Sequence, residues 1–181
     1  MSRKYKFKNP EGLYFVSFAT VYWIDVFVRE TYCSVFTESL YFCRKNKGME
    51  LFCWCIMPSH VHLIFRDKGN DPAKLLKELK TYTSKQLQLS VKENNTESRQ
   101  EWMGWMFERA AKKSGHKQKT RFWQQHNQPI ELWSSDVIEQ KIEYIHNNPV
   151  QAGFVTEPEH WKYSSAINFA GGKGQIEIDE I

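Results

Sequence analysis

The sequence predicts an α+β domain of ferredoxin-like (RRM-like) type: an antiparallel sheet with helices on one face, plus a further C-terminal helix. Three observations predict it. Strand-like runs lie at residues 12–23, 49–57 and 60–65. A helical period separates the first two, and only the Pro58-Ser59 turn separates the last two. A second helix, a polar stretch, a short strand and a last helix then complete the order β-α-β-β-α-(insertion)-β-α.

Each element has a local reason. GLYFVSFATVYW at 12–23 is β-branched and aromatic. Residues 31–47 set Cys33, Phe36, Leu40 and Cys43 at helical spacing, and Gly48 ends that segment. MELFCWCIM at 49–57 reads as a second strand. Pro58 forces a turn because proline cannot donate to a central ladder, so His60–Phe65 forms a hairpin with it. Asp71 caps a helix with Pro72 at its first position, and Leu75, Leu76, Leu79, Thr83 and Leu87 give that helix its apolar face. Residues 92–118 are polar and read as an insertion with a short helix near Trp102–Ala111. RFW and PIELW within 120–132 supply a short strand. Ser135 caps a helix over 136–148, ended by Pro149 and Gly153. One domain spans 1–170, and GGKGQIEIDEI at 171–181 reads as a flexible tail.

At 181 residues the chain is long enough for one full core and short for two. With 41% hydrophobic, 25% charged and 15% aromatic residues, the composition is that of a globular protein. The net charge of +4 hides an uneven distribution. Arg3, Lys4, Lys6 and Lys8 stand in an acid-free N-terminus, and Arg109, Lys112, Lys113, Lys117, Lys119 and Arg121 in an acid-free second segment. Two basic segments on a mildly acidic body fit a polyanionic partner, although solvated loops have the same composition. Leu13–Ile24 is too short to span a bilayer, and the N-terminus lacks the apolar core of a secretory signal. The four cysteines are therefore expected as reduced thiols in a cytoplasm. GGKG at 171–174 lacks the upstream glycine of a P-loop, and no H-x-E or P-C-x-x-C of a zinc deaminase occurs.

Two segments could carry chemistry. In His60-Val61-His62, alternate strand residues share a face, so both imidazoles project together and can grip a metal ion. A packed pair of histidines would have the same spelling. On the last helix, Ile138, Ile142 and Ile145 form a buried stripe. Val137, Lys141, Tyr144 and Asn148 form a second stripe beside it, with Tyr144 and Asn148 one turn apart. His146 faces elsewhere.

MPSHVHLIF resembles the HUH motif (His, bulky hydrophobic, His) of single-tyrosine transposases, and KIEYIHNNPVQAGFV resembles their catalytic-helix segment. RFWQQH and WKYSSA are similar to further landmarks of the family. The closer likeness is to the REP-associated tyrosine transposase branch, and it runs from about residue 10 to 168. The resemblance implies a DNA strand transferase that cuts and rejoins single-stranded DNA beside hairpins in a prokaryotic cytoplasm. It implies Tyr144 as nucleophile, and His60, His62 and Asn148 as ligands of Mg²⁺ or Mn²⁺. Donor softness alone favours Mn²⁺ or Zn²⁺ over Mg²⁺ for two histidines. A homodimer with the tyrosine helix set against the partner's histidines is one arrangement among relatives, and a monomer is another. The longer insertion at 92–118 and NQPIEL at 127–132 depart from the family pattern.

Arg3, Lys4, Lys6 and Lys8, interleaved with Tyr5 and Phe7, form one candidate DNA contact. Lys112, Lys113, Lys117, Lys119 and Arg121 form another, and Lys141 beside the tyrosine a third. Two rival readings remain. A domesticated relative would bind nucleic acid without cutting it. A zinc-stabilised module would use Cys53 and Cys55, which share one strand face, with the His pair across the turn; a C-x-C on extended chain chelates poorly.

Overall fold

The computed structural model describes residues 6–114 and 118–181. Its centre is a four-stranded sheet in the order β2-β3-β1-β4, formed by β1 (Leu13–Ala19), β2 (Met49–Met57), β3 (His60–Asp67) and β4 (Ile130–Leu132). All three pairings are antiparallel, which is the ferredoxin-like order expected. The helices are α1 (Glu30–Asn46), α2 (Pro72–Glu93), α3 (Gln100–Ser114), α4 (Ser135–Gln151) and the short α5 (Ala166–Phe169).

Alternation along the strands sorts the core onto two faces. Tyr14, Val16, Phe18, Trp54, Val61 and Leu63 bury against α1, α2 and α3. Phe15, Cys53, Cys55, Ile64 and Ile145 bury on the opposite face, with Ile138 and Ile142 packed against them. The helices expected on one face are α1, α2 and α3, and the further C-terminal helix, α4, lies on the second face, over β2 and β3. A bulge in β2 helps seat it. Register shifts between Leu51 and Cys53, so Phe52 and Cys53 both face α4.

Other differences follow from long-range contacts. β1 stops at Ala19 rather than running to Trp23. The buried Thr20 hydroxyl sits 2.7 Å from the Ile24 carbonyl and 3.0 Å from that of Ser59, which turns the chain away from the sheet. The polar insertion contains a full helix, α3, whose Met103, Phe107, Ala110 and Ala111 are buried. α4 runs through Pro149 to Gln151 rather than ending at Asn148, and Gly153 (φ +75°) follows it in the left-handed region. The C-terminal segment, read as a flexible tail, packs on the body. Ile176 is buried, Arg44 forms a two-pronged pair with Asp179, and Asp179 bonds Leu51 through both its backbone and its carboxylate. Together with Tyr163–Ser165, which bond Ile56 and Trp54, the tail covers the outer edge of β2.

Candidate active site

β3 and α4 assemble the site. His60 and His62 project from the same face of β3, with ring centroids 4.8 Å apart, while Val61 buries on the other face. Tyr144 stands edge-on to His62 at 5.4 Å and to Phe15 at 6.0 Å. Phe15 stacks on His62 at 5.8 Å and so fills the floor between the two elements. Ile145, fully buried, presses α4 onto the sheet, which leaves its neighbour Tyr144 at the edge and 42% exposed. The Asn148 amide nitrogen donates to the Tyr144 carbonyl at 2.8 Å, which fixes the orientation of the amide. Its influence reaches both imidazoles and opposes the fall in their pKa values.

His62 is the unusual member. It is 2% exposed, and neither ring nitrogen has a hydrogen-bond partner. Burial holds its pKa down to about 3; the neighbouring His60 charge adds to the shift, Asn148 opposes it and Lys141 adds further. Burial also lowers His60. Both rings are therefore neutral at physiological pH and present lone pairs. An unsatisfied buried donor or acceptor costs about 1–3 kcal/mol, and a cation on the lone pair removes that cost. The orphaned imidazole, its partner His60 and the fixed amide of Asn148 thus fit a divalent ion.

Lys141, one turn before Tyr144, places its ammonium 5.1 Å from the Phe15 ring centre and 5.3 Å from that of Tyr144. Positive charge is thereby held beside the phenol, where an anionic group would dock. The cysteines take no part. Among the described residues, no group of three or more His, Cys, Asp or Glu side chains could hold a metal ion. Cys53 instead lies 3.2 Å from His146 and is pushed up to about 12 by burial.

A profile of the IS200-like transposases matches residues 13–110. The chain belongs to that family. The matched stretch holds His60 and His62 and ends before α4, so the transposase profile does not reach Tyr144 or Asn148. A solved REP-associated tyrosine transposase bound to a REP hairpin is similar in fold. Its TM-score is 0.66 at 16% identity, over 100% of this chain and 92% of that one. No curated protein matches the transposase sequence.

The basic segments part company. Lys6 and Lys8 are exposed at the far end of β1 from His60, where the Lys8 amide donates to the Tyr14 hydroxyl. Phe7 packs on Tyr14 at 4.7 Å and is an anchor rather than a free aromatic. Lys112, Lys113 and Lys119 are exposed, and Arg121 bonds the Trp123 carbonyl. This second segment leads to the His60 end of β1, where Trp123 bridges Thr20. Arg3, Lys4, Tyr5 and Lys117 lie outside the described residues. Of the family landmarks, RFW supplies core aromatics, with Phe122 and Trp123 packed on Phe27.

Sequence reasoning missed four contributors. Phe15 looked like any strand residue. His146 is buried 2.9 Å from Ser165 and ties α4 to β2; its signal was the Cys53 that it meets, 93 positions away. Tyr22 and Trp23 stand at φ +55° and +57°, and the Trp23 ring meets His60 edge-on at 5.4 Å. A bulky residue at positive φ is an outlier costing about 1–3 kcal/mol.

No helix among the described residues is long and apolar enough to cross a membrane.

Proposed function

We propose that this chain cleaves and rejoins single-stranded DNA beside a hairpin, with Tyr144 as nucleophile and His60, His62 and Asn148 as ligands of Mg²⁺ or Mn²⁺. One observation carries the reading: the tyrosine, the histidine pair with its orphaned His62, and the asparagine converge within a single chain. The REP hairpin held by the similar solved transposase supports the substrate class.

The phenol oxygen of Tyr144 attacks the scissile phosphorus as the bond to the 3′-oxygen breaks. The proton lost from the phenol is balanced by the one gained by the departing 3′-hydroxyl. The product is a 5′-phosphotyrosine, close in energy to the phosphodiester it replaces. A second 3′-hydroxyl can therefore reverse the step, releasing Tyr144 and joining the strands. Lys141 attracts the approaching phosphate through its positive charge. Phe15 meets the Tyr144 ring edge-on and holds it in place, while Ile145 seats the helix that carries it. The divalent ion, when bound, polarises a phosphate oxygen and stabilises charge in the transition state.

Incubation with a hairpin oligonucleotide carrying a single-stranded extension tests this. A denaturant-resistant protein–DNA adduct that maps to Tyr144 and disappears in Tyr144→Phe supports the reading. An adduct at another tyrosine, or binding with no cleavage in either Mg²⁺ or Mn²⁺, overturns it.

A further inference from the structure

Beside the histidine pair, on the side away from Tyr144, lies a feature that the proposed mechanism does not use. Trp23, His60, His62 and Tyr144 form a succession of edge-to-face rings, with centroid separations of 5.4, 4.8 and 5.4 Å. Trp23 ends this succession and is 59% exposed. Both Trp23 and Tyr22 take left-handed backbone angles that aromatic side chains rarely adopt.

The surroundings force that conformation. Val21 and Ile24 are buried on either side of the two aromatics. The Thr20 hydroxyl bonds the Ile24 and Ser59 carbonyls, the Val21 amide donates to Phe122, and the Gln124 side chain donates to the Thr20 carbonyl. An ion pair of Asp25 with Arg99 fixes the exit of the turn. Burial does not explain the strain, because Tyr22 and Trp23 are 40% and 59% exposed. A strained, rigidly held, exposed indole beside a reactive centre is a device for presenting a flat surface.

We propose that Trp23, with Tyr22 next to it, is a stacking platform for an unpaired nucleobase adjacent to the scissile phosphate. The inference rests on the single-strand cleavage proposed above and adds the group that positions the strand. Every base has a π-face, so such a platform grips any sequence, while the phosphate beside it is directed toward the histidines. Preformed geometry means that little side-chain freedom is lost on binding.

The test pairs protein and DNA changes on the intact chain. Hairpin oligonucleotides with a single-stranded extension carry one abasic site at each unpaired position in turn. Wild type is expected to lose affinity at one or two positions next to the cleaved bond, by about 5- to 150-fold. Trp23→Ala should show that loss with intact DNA and no further loss with the same abasic site, and Trp23→Phe should recover part of it. Trp23→Gly relieves the left-handed strain, so it should melt no lower than wild type yet bind like Trp23→Ala. That combination separates the platform from a structural role, which would lower the melting temperature. If Trp23→Ala stays as sensitive to abasic sites as wild type, or loses only kcat at unchanged affinity, the platform is wrong while strand cleavage stands. If wild type neither binds nor cuts single-stranded DNA, both readings fall.

Discussion

Tyr144 on α4 stands edge-on to His62 on β3 of the same chain, with ring centroids 5.4 Å apart. The phenol and the buried imidazole approach each other without a hydrogen bond between them. His62 keeps both nitrogens unpartnered, and the exposed hydroxyl of Tyr144 is free to meet a phosphate. Nucleophile and candidate metal ligands are therefore separate devices that share one floor, Phe15. Variants should take them apart.

Tyr144→Phe should fold with stability within about 0.5 kcal/mol of wild type, because the lost hydroxyl is at an exposed edge and the ring keeps its packing. It should bind metal and hairpin DNA and fail to cut. Calorimetric unfolding and a gel-shift assay check the first part, and strand cleavage the second. A drop in stability of several kcal/mol would mean that the hydroxyl has a structural partner.

His62→Leu removes two unpartnered buried nitrogens while keeping most of the volume. The metal-free protein should gain up to about 1–3 kcal/mol. Wild type should be stabilised by added Mn²⁺, by about 2.7 kcal/mol at a hundredfold excess over Kd, and His62→Leu should not respond. Asn148→Ala should weaken that response less, since a neutral amide is the weakest of the three ligands. Thermal melts with and without Mn²⁺ measure all of this. An equal Mn²⁺ response in His62→Leu would remove the histidine pair from the metal site.

Neutralising Lys112, Lys113 and Lys119 together should weaken binding of all DNAs by similar factors, because phosphate contacts carry no sequence information. The salt dependence should flatten by up to roughly 0.7 per lost contact on single strands. Affinity measured across a salt series decides it, and an unchanged slope would make these exposed lysines a solvated surface.

Much of this was legible from residue order. The hairpin at Pro58-Ser59, the shared face of His60 and His62, and the stripe holding Tyr144 and Asn148 follow from periods of two and 3.6, which are local properties. What escaped was set by partners far along the chain. Nothing in MELFCWCIM announces the bulge that turns Phe52 and Cys53 together toward α4, because register belongs to the pair of strands. Tyr22 and Trp23 have strand propensity, and their turn is dictated by Thr20, Ser59 and Phe122. Asp179 sits in a glycine-rich, weakly patterned tail, yet its partner Arg44 lies 135 positions away.

Lys80 gives a pH signature outside the site. Its ammonium donates to the Gln124 carbonyl and to Asn127, and lies 4.9 Å from the Phe18 ring centre. Burial, aided by the charge of Arg121, lowers its pKa to about 7. Between that value and the unfolded value near 10.4, the unfolded chain binds the extra proton, so stability should rise with pH across this window. Below about pH 7 the full penalty is present. The slope should approach 1.4 kcal/mol per pH unit at most, and less where the three contacts favour the cation. Lys80→Met should remove the slope. Unfolding measured from pH 7 to 9.5 in both proteins tests this, and parallel curves would show that Lys80 stays charged throughout.

The placement of α4 also predicts how copies of the chain behave together. The helix is fastened to its own sheet by the fully buried Ile145, by His146 between Cys53 and Ser165, and by the packing of Ile138 and Ile142. Handing the helix to a partner would break each of these contacts and re-form each in the other copy, with a longer path for the segment before Ser134. The short β4, paired to β1, ends two residues before Ser134, which caps α4 in place of the expected Ser135, and leaves little chain for that path. Each copy should therefore combine its own Tyr144 with its own His60 and His62. A mixture of Tyr144→Phe and His62→Ala proteins should then stay inactive, because neither copy holds a complete site. An exchanged helix would give the opposite result, since half-defective pairs would rebuild one intact site and restore cleavage. Recovery of adduct formation in the mixture, mapped to the Tyr144 of the His62→Ala copy, would overturn the single-chain site and leave the identity of the nucleophile untouched.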